Sequence, residues 1–512
     1  MKLWNRNAGQ QNVQGLYNRG VKVDNEVKKM EGTNGARRKT IHTFIGLGIM
    51  IILGLLPGPE PITALGMKAL GLFIGTVYLW ITVDLLWPSI FAIMLYAFIG
   101  YTNIAGAISM SLGNDTFWQA ILMMAILGLM GQCGVTDHIV SGMMSFKVLK
   151  GRPWIFSFGF LVVLIIIVSL TNSLLGVLLC LQILVSVRDA AGFKNGDSWL
   201  HLMAVGVVYF GAIAGCLIPF RGLMLYLINI LTKAGVTGVD FLSFMLMSFP
   251  TALAMLILFV LMMRFVFRCD VTPLKNFDPA VLQKDLGPMT KQQIALILVF
   301  LAYLVTLTFA PYLPKTSWLY LKYSSIGVAG VAMIIFCVCH IVHIDGKPIG
   351  DFQQVVHTVP WGMMFMIAVA MSVSNVLLSD DTGIKAYLMT VLQPVFSGKS
   401  AFVFSALFVL LAILLTNVSN NMVVAFVFTP LAIAFNAVEP IALITTVSLL
   451  CFAVNFALIL PSGSPTAALL FSHEFGAGNK QRHFLYTIVT CIMGYLVMMF
   501  VAYPLGMFFM GN

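Results

Sequence analysis

The chain has 512 residues, of which 60% are apolar and only 9% are charged, and its mean hydropathy is +0.96. Soluble globular domains carry a charge on about a quarter of their residues, so this composition excludes a soluble domain. The apolar runs are about 20 residues long and do not show the alternation of a membrane barrel, so they predict transmembrane helices. The sequence therefore predicts an all-α polytopic membrane protein.

The N-terminal segment contributes most of the formal net charge of +10. Residues 1–39 carry nine lysines or arginines against three acids, and the first apolar run begins directly afterwards at Ile41. Basic segments beside a membrane span are typical of the cytoplasmic side, and this one lacks the aromatic interleaving of a nucleic-acid arm. We expect a plasma (inner) membrane protein with a cytoplasmic N-terminus, no nucleic-acid partner and no cleaved signal peptide.

The rest of the chain divides into two halves, 40–267 and 293–512, on either side of a polar linker at 268–292. Each half contains, in the same order, one segment that resembles a re-entrant hairpin and two apolar runs with an internal break. These segments are 104–140, 153–187 and 199–232 in the first half, and 360–396, 401–437 and 440–471 in the second. This order predicts two inverted repeats with about 11 transmembrane helices and two re-entrant helical hairpins.

Three landmarks recur at nearly the same spacing between the halves. Trp118 and Trp361 are 243 residues apart, Asn172 and Asn417 are 245 apart, and Pro219 and Pro461 are 242 apart. A matched pair of interrupted apolar segments in two halves indicates the substrate site of a transporter.

The two breaks are polar: Thr171-Asn172-Ser173 in the first half and Thr416-Asn417-Val418-Ser419-Asn420-Asn421 in the second. Unpaired peptide groups are costly in hydrocarbon, so an unwound stretch has to line a cavity walled by protein or water. Helix N-termini at such a break attract an anion, and carbonyl, hydroxyl and amide oxygens suit Na+. The breaks therefore predict a site that holds Na+ and an anion together.

The second half resembles the divalent anion/sodium symporter family of di- and tricarboxylate and sulfate transporters. The segments that carry this resemblance are LLTNVSNNMVVAFVFTPLA, in which Asn421 lies nine residues before Pro430, and FALILPSGSPTAALLF. Asn420-Asn421-Met422 falls on the family's second Ser-Asn-Thr signature, and PSGSPT falls on its second proline- and glycine-containing loop. Thr171-Asn172-Ser173 falls on the first signature with its two hydroxyl residues exchanged, so the resemblance covers 40–510 but is closer in the second repeat.

The resemblance implies a role for each matching position. It implies sodium ligands at Asn172, Thr416, Ser419, Asn421 and the backbone near Gly463. It implies substrate contacts at Thr171, Asn172, Ser173, Asn420, Asn421, Met422, Ser464, Pro465 and Thr466. It further implies a lipid-embedded homodimer that carries a small anion (a dicarboxylate, a citrate-like anion or sulfate) by an elevator-like shift, with Na+ as coupling ion and no covalent cofactor.

Three positions depart from the family pattern. Met422 stands where the family usually has Thr, and Ile167 offers no ligand at the first-half position that corresponds to Thr416. Arg221 lies in the loop after Pro219, where it is either an interfacial arginine or a fixed cation that replaces a sodium ion or pairs with the substrate. The second interpretation of Arg221 favours anion exchange over Na+ symport.

Other function classes lack the residues they need. The chain contains no His-Glu-x-x-His zinc motif, no phosphate-binding Gly-rich lysine motif and no Cys-x-x-Cys pair, so we expect no enzymatic activity. No carboxylate lies in the middle of an apolar run, which weakens the further alternative, a cation/proton antiporter of the same superfamily.

Overall fold

The computed structural model describes 33–144, 147–170, 173–194, 196–219, 222–236, 238, 240–279, 286–387, 390–391, 398–419, 421–437, 440–460, 463–473, 475 and 480–510. These residues form helices almost throughout. The strands in this part of the chain are one antiparallel pair of two residues each, β1 (His343–Ile344) and β2 (Lys347–Pro348).

The first half contains eleven of the described α-helices before the polar linker. They are α1 Thr33–Leu55, α2 Ala64–Thr82, α3 Leu86–Phe98, α4 Ile104–Ser111, α5 Asp115–Gln132, α6 Val135–Met144, α7 Pro153–Leu170, α8 Ser173–Ala191, α9 Ser198–Leu217, α10 Gly222–Lys233 and α11 Phe241–Leu261. A five-residue π-helix, Met262–Val266, extends α11.

The linker contains the short helix α12 (Thr272–Lys275), and the second half follows it. Its helices are α13 Lys291–Phe309, α14 Trp318–Ile341, α15 Phe352–Val355, α16 Trp361–Leu378, α17 Ala401–Thr416, α18 Asn421–Asn436, α19 Leu443–Ala453, α20 Pro465–Ser472, α21 Lys480–Val497 and α22 Tyr503–Met510. A second five-residue π-helix, Met498–Ala502, joins α21 to α22.

Seven helical stretches among the described residues are long and apolar enough to cross a membrane. They are α1, α2, α9, α11 with its π-helical extension, α13, α14, and α21 continued into α22. Eight shorter apolar stretches of 10–17 residues in the same part of the chain, among them Pro153–Ser169, Ala401–Thr416 and Asn421–Asn436, are short for a span and typical of helices that end at a break. The prediction of an all-α polytopic membrane protein is confirmed.

The spans differ in how deeply they are enclosed. Of the apolar stretch of α9, 89% is buried inside the protein, whereas only 22% of that of α14 and 11% of that of α1 is buried. Since α9 leads into the first-half proline loop at Pro219, this loop lies at the end of the most enclosed of these seven spans. The outward faces of α1 and α14 are apolar and suit lipid.

The second interrupted run forms a helical hairpin. The ring centroids of Phe404, near the start of α17, and Phe435, near the end of α18, lie 4.9 Å apart. One turn further along α17, the ring of Phe408 lies 4.9 Å from that of Phe428. The two helices are therefore antiparallel neighbours, and the polar break of the second half forms the tip of their hairpin.

The first interrupted run also turns back at its break. A Cβ atom at Gly176 in α8 would lie 2.6 Å from Val168 Cγ2 and 3.5 Å from Ile167 Cγ2 of α7. Residues eight positions apart would be about 12 Å apart along one continuous helix, so α7 and α8 cannot be collinear. Both polar breaks therefore lie where a helix pair reverses direction.

Hydrogen bonds connect the first half of the chain to the second. Gln293, in the first turn of α13, donates a hydrogen bond from Nε2 to the carbonyl oxygen of Cys133, at the end of α5, over 2.6 Å. In return Thr63, the N-cap of α2, donates from Oγ1 to the carbonyl oxygen of Asp381, which follows α16, over 2.8 Å. The two halves are therefore joined directly at these helix ends.

The paired phenylalanines predict how strongly the second hairpin is held together. We expect Phe408→Ala to lower the free energy of unfolding by about 3–5 kcal/mol, because Phe408 is 2% exposed and its loss leaves a cavity. In a double-mutant cycle with Phe428→Ala, the coupling should be about 0.5–1.5 kcal/mol. Phe98→Ala, at a ring that is 84% exposed, should change stability by less than about 0.5 kcal/mol. If Phe408→Ala and the control Phe98→Ala destabilised the protein equally in detergent unfolding, the hairpin contact would be contradicted.

Candidate functional site

The structure describes nine of the thirteen predicted site residues. They are Ser173, Thr416, Ser419, Asn421, Met422, Gly463, Ser464, Pro465 and Thr466. Thr171, Asn172, Arg221 and Asn420 lie outside the described residues, and so do Pro461 and Ser462 of the proline loop. The assignment of all thirteen as ligands stays a prediction, while the contacts of the nine are set out below.

The second tip (416–419 and 421) packs against the second joint, which comprises the described residues 454–460, 463 and 464 between α19 and α20. Helix α17 ends at Thr416, whose hydroxyl donates a hydrogen bond to the carbonyl oxygen of Val454 over 2.7 Å. Val454 is the first residue after α19, so this bond fixes the end of one broken element on the end of another. Because its hydrogen is used, the Thr416 hydroxyl can offer a ligand only its lone pairs.

Asn417 makes four hydrogen bonds, three of them to the second joint and one to its own helix α17. Its Nδ2 donates to the carbonyl oxygens of Ile413 and Phe456 over 2.8 and 3.0 Å. Its Oδ1 accepts the backbone N–H groups of Leu458 and Ile459 over 3.1 and 2.8 Å. A side-chain amide has two donor hydrogens and two acceptor lone pairs, so Asn417 is saturated by the backbone and has no capacity for a ligand.

Sequence reasoning quoted Asn417 in the break but assigned it no role. The residue type carried no signal, because asparagine serves equally well as a ligand and as a backbone bridge. The partners of Asn417 in the second joint lie about 40 positions further along the chain.

Gly463 lets the second joint approach the second tip. A Cβ atom at this position would lie 3.1 Å from the carbonyl oxygen of Thr416, 3.2 Å from Ala457 Cβ and 3.4 Å from Asn417 Cα. Each of these contacts is tighter than or at the edge of ordinary van der Waals contact, so a side chain here would push the two segments apart. The structure thus brings Gly463 next to Thr416, as a shared sodium site requires.

The hydroxyl groups of the proline loop are engaged with their own segment. Ser464 is the N-cap of α20: its Oγ accepts the N–H of Ala467 over 3.1 Å and donates to the carbonyl oxygen of Ala457 over 2.9 Å. Thr466 Oγ1 lies 3.2 Å from Ser464 Oγ. The hydroxyl hydrogen of Ser464 is therefore used within the loop, and the positive N-terminal end of α20 is the feature of this segment that suits an anion.

Asn421 begins α18 at the other side of the second tip. Its Oδ1 accepts the N–H of Met422 over 2.9 Å, and its Nδ2 donates to Oδ1 of Asn455 in the second joint over 3.4 Å. Asn455 in turn donates to Cys216 Sγ, at the end of α9 in the first half, over 2.9 Å. Sequence reasoning missed Asn455, which lies outside every motif.

In the first half, the start of α8 contacts the last turn of α9. Ser173 begins α8, and a Cβ atom at Gly215 near the end of α9 would lie 3.1 Å from Ser173 Oγ. Ile167, in the position that corresponds to Thr416, is 1% exposed and packs beside Gly176. The described first-half residues therefore supply one hydroxyl at this contact, whereas the second half supplies a hydroxyl, two amides and a close backbone approach.

The described residues of the second site carry oxygen donors and helix ends but no ionisable side chain. Hydroxyl, amide and carbonyl oxygens are hard ligands of the type that binds Na+, and the N-terminal ends of α18 and α20 provide positive potential. The chemistry of this arrangement is binding of a cation and an anion, without a nucleophile or a general base.

Comparison with known proteins agrees with this geometry. The family described as “Sodium:sulfate symporter transmembrane region” matches residues 37–510. The chain is also 23% identical over 309 residues to the sodium-dependent dicarboxylate transporter SdcS of Staphylococcus saprophyticus. That alignment covers 56% of this chain and 56% of the SdcS sequence, so it extends over little more than half of each protein.

The four bonds of Asn417 predict a large structural effect of its removal. Asn417→Leu should lower the free energy of unfolding by about 3 kcal/mol, because it removes four hydrogen bonds that contribute about 0.5–1.5 kcal/mol each. The matched control is Asn229→Leu, which removes a single bond to the carbonyl oxygen of Leu225 in α10 and should cost about 1 kcal/mol or less. Thermal unfolding of both purified variants without added Na+ makes the measurement; similar losses would refute the bridging role of Asn417.

Proposed function

Because the chain belongs to the sodium:sulfate symporter family, we propose that it is a secondary active transporter that carries a small multivalent anion together with Na+. The observation that carries the proposal is the contact of the second tip with the second joint. There the backbone of Gly463 lies beside the carbonyl oxygen of Thr416. Thr416 and Asn421 further bond the second joint through Val454 and Asn455. Oxygen ligands suit Na+, and the positive N-terminal ends of helices suit an anion. The arrangement therefore fits an anion that is carried together with Na+.

The sodium ion is assigned to the second half. The Thr416 hydroxyl spends its hydrogen on Val454, so its oxygen faces any further ligand as an acceptor, which suits a cation and not an anion. The Ser419 hydroxyl makes no hydrogen bond to another described residue, and it follows Thr416 by three positions. These two hydroxyls, the Asn421 amide oxygen and the backbone near Gly463 form the proposed site.

The anion is assigned to the space between the two tips. Ser173 begins α8 at the first tip, and Asn421 and Met422 begin α18 at the second, so both helix starts direct their amides toward the breaks. Met422 replaces a hydroxyl with an apolar side chain, which leaves fewer donors for the substrate. A dicarboxylate, which is the substrate named for SdcS, is the anion we favour over sulfate.

Anion exchange is the second candidate, and one observation favours it. Ile167 is buried where the second half has Thr416, so this position of the first half offers no hydroxyl to a second sodium ion. Arg221 would supply a permanent positive charge in place of that ion. A carrier of this kind would return poorly when empty and would exchange anions.

The transport cycle and assembly follow from family membership as further proposals. We assign the helix pairs at the polar breaks, α7–α8 and α17–α18, to a body that shifts in an elevator-like manner. We assign the outward apolar faces of α1 and α14 to contact with lipid or with a second copy of the chain.

A ligand screen tests the proposed function. Purified protein should gain thermal stability with a multivalent anion in NaCl and less in choline chloride, because a ligand that binds only the folded state stabilises it by mass action. In proteoliposomes the same anion should accumulate when an inward Na+ gradient is imposed. Stabilisation and counterflow that are equal with and without Na+ would favour exchange, and no response to succinate, citrate or sulfate would refute the proposal.

Thr416 allows a test of the sodium site itself. We expect Thr416→Val to raise the Na+ concentration for half-maximal uptake about tenfold, which corresponds to about 1.4 kcal/mol, with a smaller change in the anion KM at saturating Na+. The matched control is Thr429→Val, since Thr429 is also buried and donates to a carbonyl oxygen, that of Ala425 in its own helix. A Thr416 variant with an unchanged Na+ dependence would place the sodium ion elsewhere.

A further inference from the structure

Asn455 lies in the second joint and contacts both halves of the protein. Its Nδ2 donates to the carbonyl oxygen of Cys451, one turn earlier in α19, over 2.7 Å and to Cys216 Sγ over 2.9 Å. Its Oδ1 accepts a hydrogen bond from Nδ2 of Asn421 over 3.4 Å. All three of these partners come from different helices: α19, α9 and α18.

These contacts determine which way the Asn421 amide points. A carbonyl oxygen only accepts hydrogen bonds, so the Asn455 atom beside Cys451 has to be the NH2 group, and the other atom has to be the oxygen. This oxygen also only accepts, so Asn421 has to present its own NH2 group to Asn455. The oxygen of Asn421 is then directed to the N–H of Met422, where it is found at 2.9 Å.

The orientation leaves Asn421 half used. Of its two amide hydrogens one is donated to Asn455, and of its two oxygen lone pairs one accepts Met422 N–H. Within the described part of the chain, the second hydrogen and the second lone pair bind no protein group. Asn421 can therefore offer one lone pair to a cation and one hydrogen to an anion at the same time.

A reversed Asn421 amide would lose both internal bonds. Its NH2 group would face the N–H of Met422, and its oxygen would face the oxygen of Asn455. The contact with Met422 lies inside α18, but the contact with Asn455 connects α18 to α19 and, through Cys216, to α9. Cys216 is buried, with 2% of its surface exposed, so this connection lies inside the protein between the two halves.

We propose that Asn455 is a positioning residue that holds the Asn421 amide with its oxygen available to Na+ and its remaining hydrogen available to the anion. This inference rests on the proposed function, because it takes Asn421 as a ligand. Asn455 touches neither ligand and acts through Asn421. The second joint thereby sets the ligand geometry of the second tip.

The test measures Na+ binding directly, without a choice of substrate. NaCl is titrated against choline chloride at constant ionic strength, and the Na+ concentration that gives half of the maximal thermal stabilisation is determined for the full-length protein. Asn455→Leu, which is similar in size but has no polar atoms, should raise this concentration about tenfold. Asn455→Ala should do the same, and it leaves the Cys451 carbonyl paired because the Cys216 thiol also donates to it over 3.4 Å.

Two further variants separate positioning from general damage. Asn455→Gln, assayed beside wild type, keeps an amide NH2 group for Cys451 and an amide oxygen for Asn421, and should bind Na+ within about threefold of wild type. Asn229→Leu removes an amide that bonds the carbonyl four residues earlier, as Asn455 does, and should leave the half-maximal Na+ concentration within about twofold.

The outcomes distinguish the two proposals. If wild type is not stabilised by Na+, the proposed sodium-coupled function fails, and Asn455 has nothing to position. If wild type responds and Asn455→Leu and Asn455→Ala bind Na+ like wild type, the positioning role alone is refuted. An Asn455→Gln variant as weak as Asn455→Leu, or an Asn229→Leu variant as weak as either, would also refute it, because the defect would then not depend on the acceptor that faces Asn421.

Discussion

The amide of Asn417 is the interaction on which the second site depends. Between α19 and α20 the chain leaves helical geometry inside an apolar protein, so the N–H groups of Leu458 and Ile459 need acceptors outside a helix. Asn417 supplies one oxygen for both, and its NH2 group pairs the carbonyls of Ile413 and Phe456. A single side chain thus bonds four backbone groups, and in doing so it joins the second tip to the second joint.

The two halves meet this requirement with unequal means. In the second half, Thr416, Asn417 and Gly463 bring the tip and the joint into contact through hydrogen bonds and close backbone approach. In the first half, Ile167 is an apolar packing residue, and Ser173 at the start of α8 contacts Gly215 near the end of α9. Among the described residues of the two tips, the polar atoms that can serve a cation are concentrated in the second half. Sodium coupling is accordingly assigned to that half.

Much of the framework could be predicted from the sequence. Composition and run length predict the all-α membrane class, and the spacing of Asn172 and Asn417 predicts two halves with matched breaks; the class and the family resemblance are confirmed. These features are properties of a linear pattern. The antiparallel contact of Phe404 with Phe435 and the bridge from Asn455 to Cys216 are not, because each depends on how separate helices pack. Local pattern also gives no means of telling a backbone-bridging asparagine from a ligand.

The hydrogen-bond capacity of each polar side chain provides that distinction. Asn417 and Asn421 are four residues apart in the same break, yet the first spends all four of its amide positions on the backbone and the second spends only two. Thr416 has spent its donor and kept its acceptors, so it suits a cation, while the Ser464 hydroxyl has spent its donor on Ala457 and caps a helix whose N-terminal end suits an anion. Ligand preference at this site therefore follows from what the fold has left unused: lone pairs at Thr416, one lone pair and one hydrogen at Asn421, and helix amides at the starts of α18 and α20. Asn455 matters because it sets the orientation of the Asn421 amide, and this orientation determines which oxygen lone pair and which amide hydrogen remain for ligands.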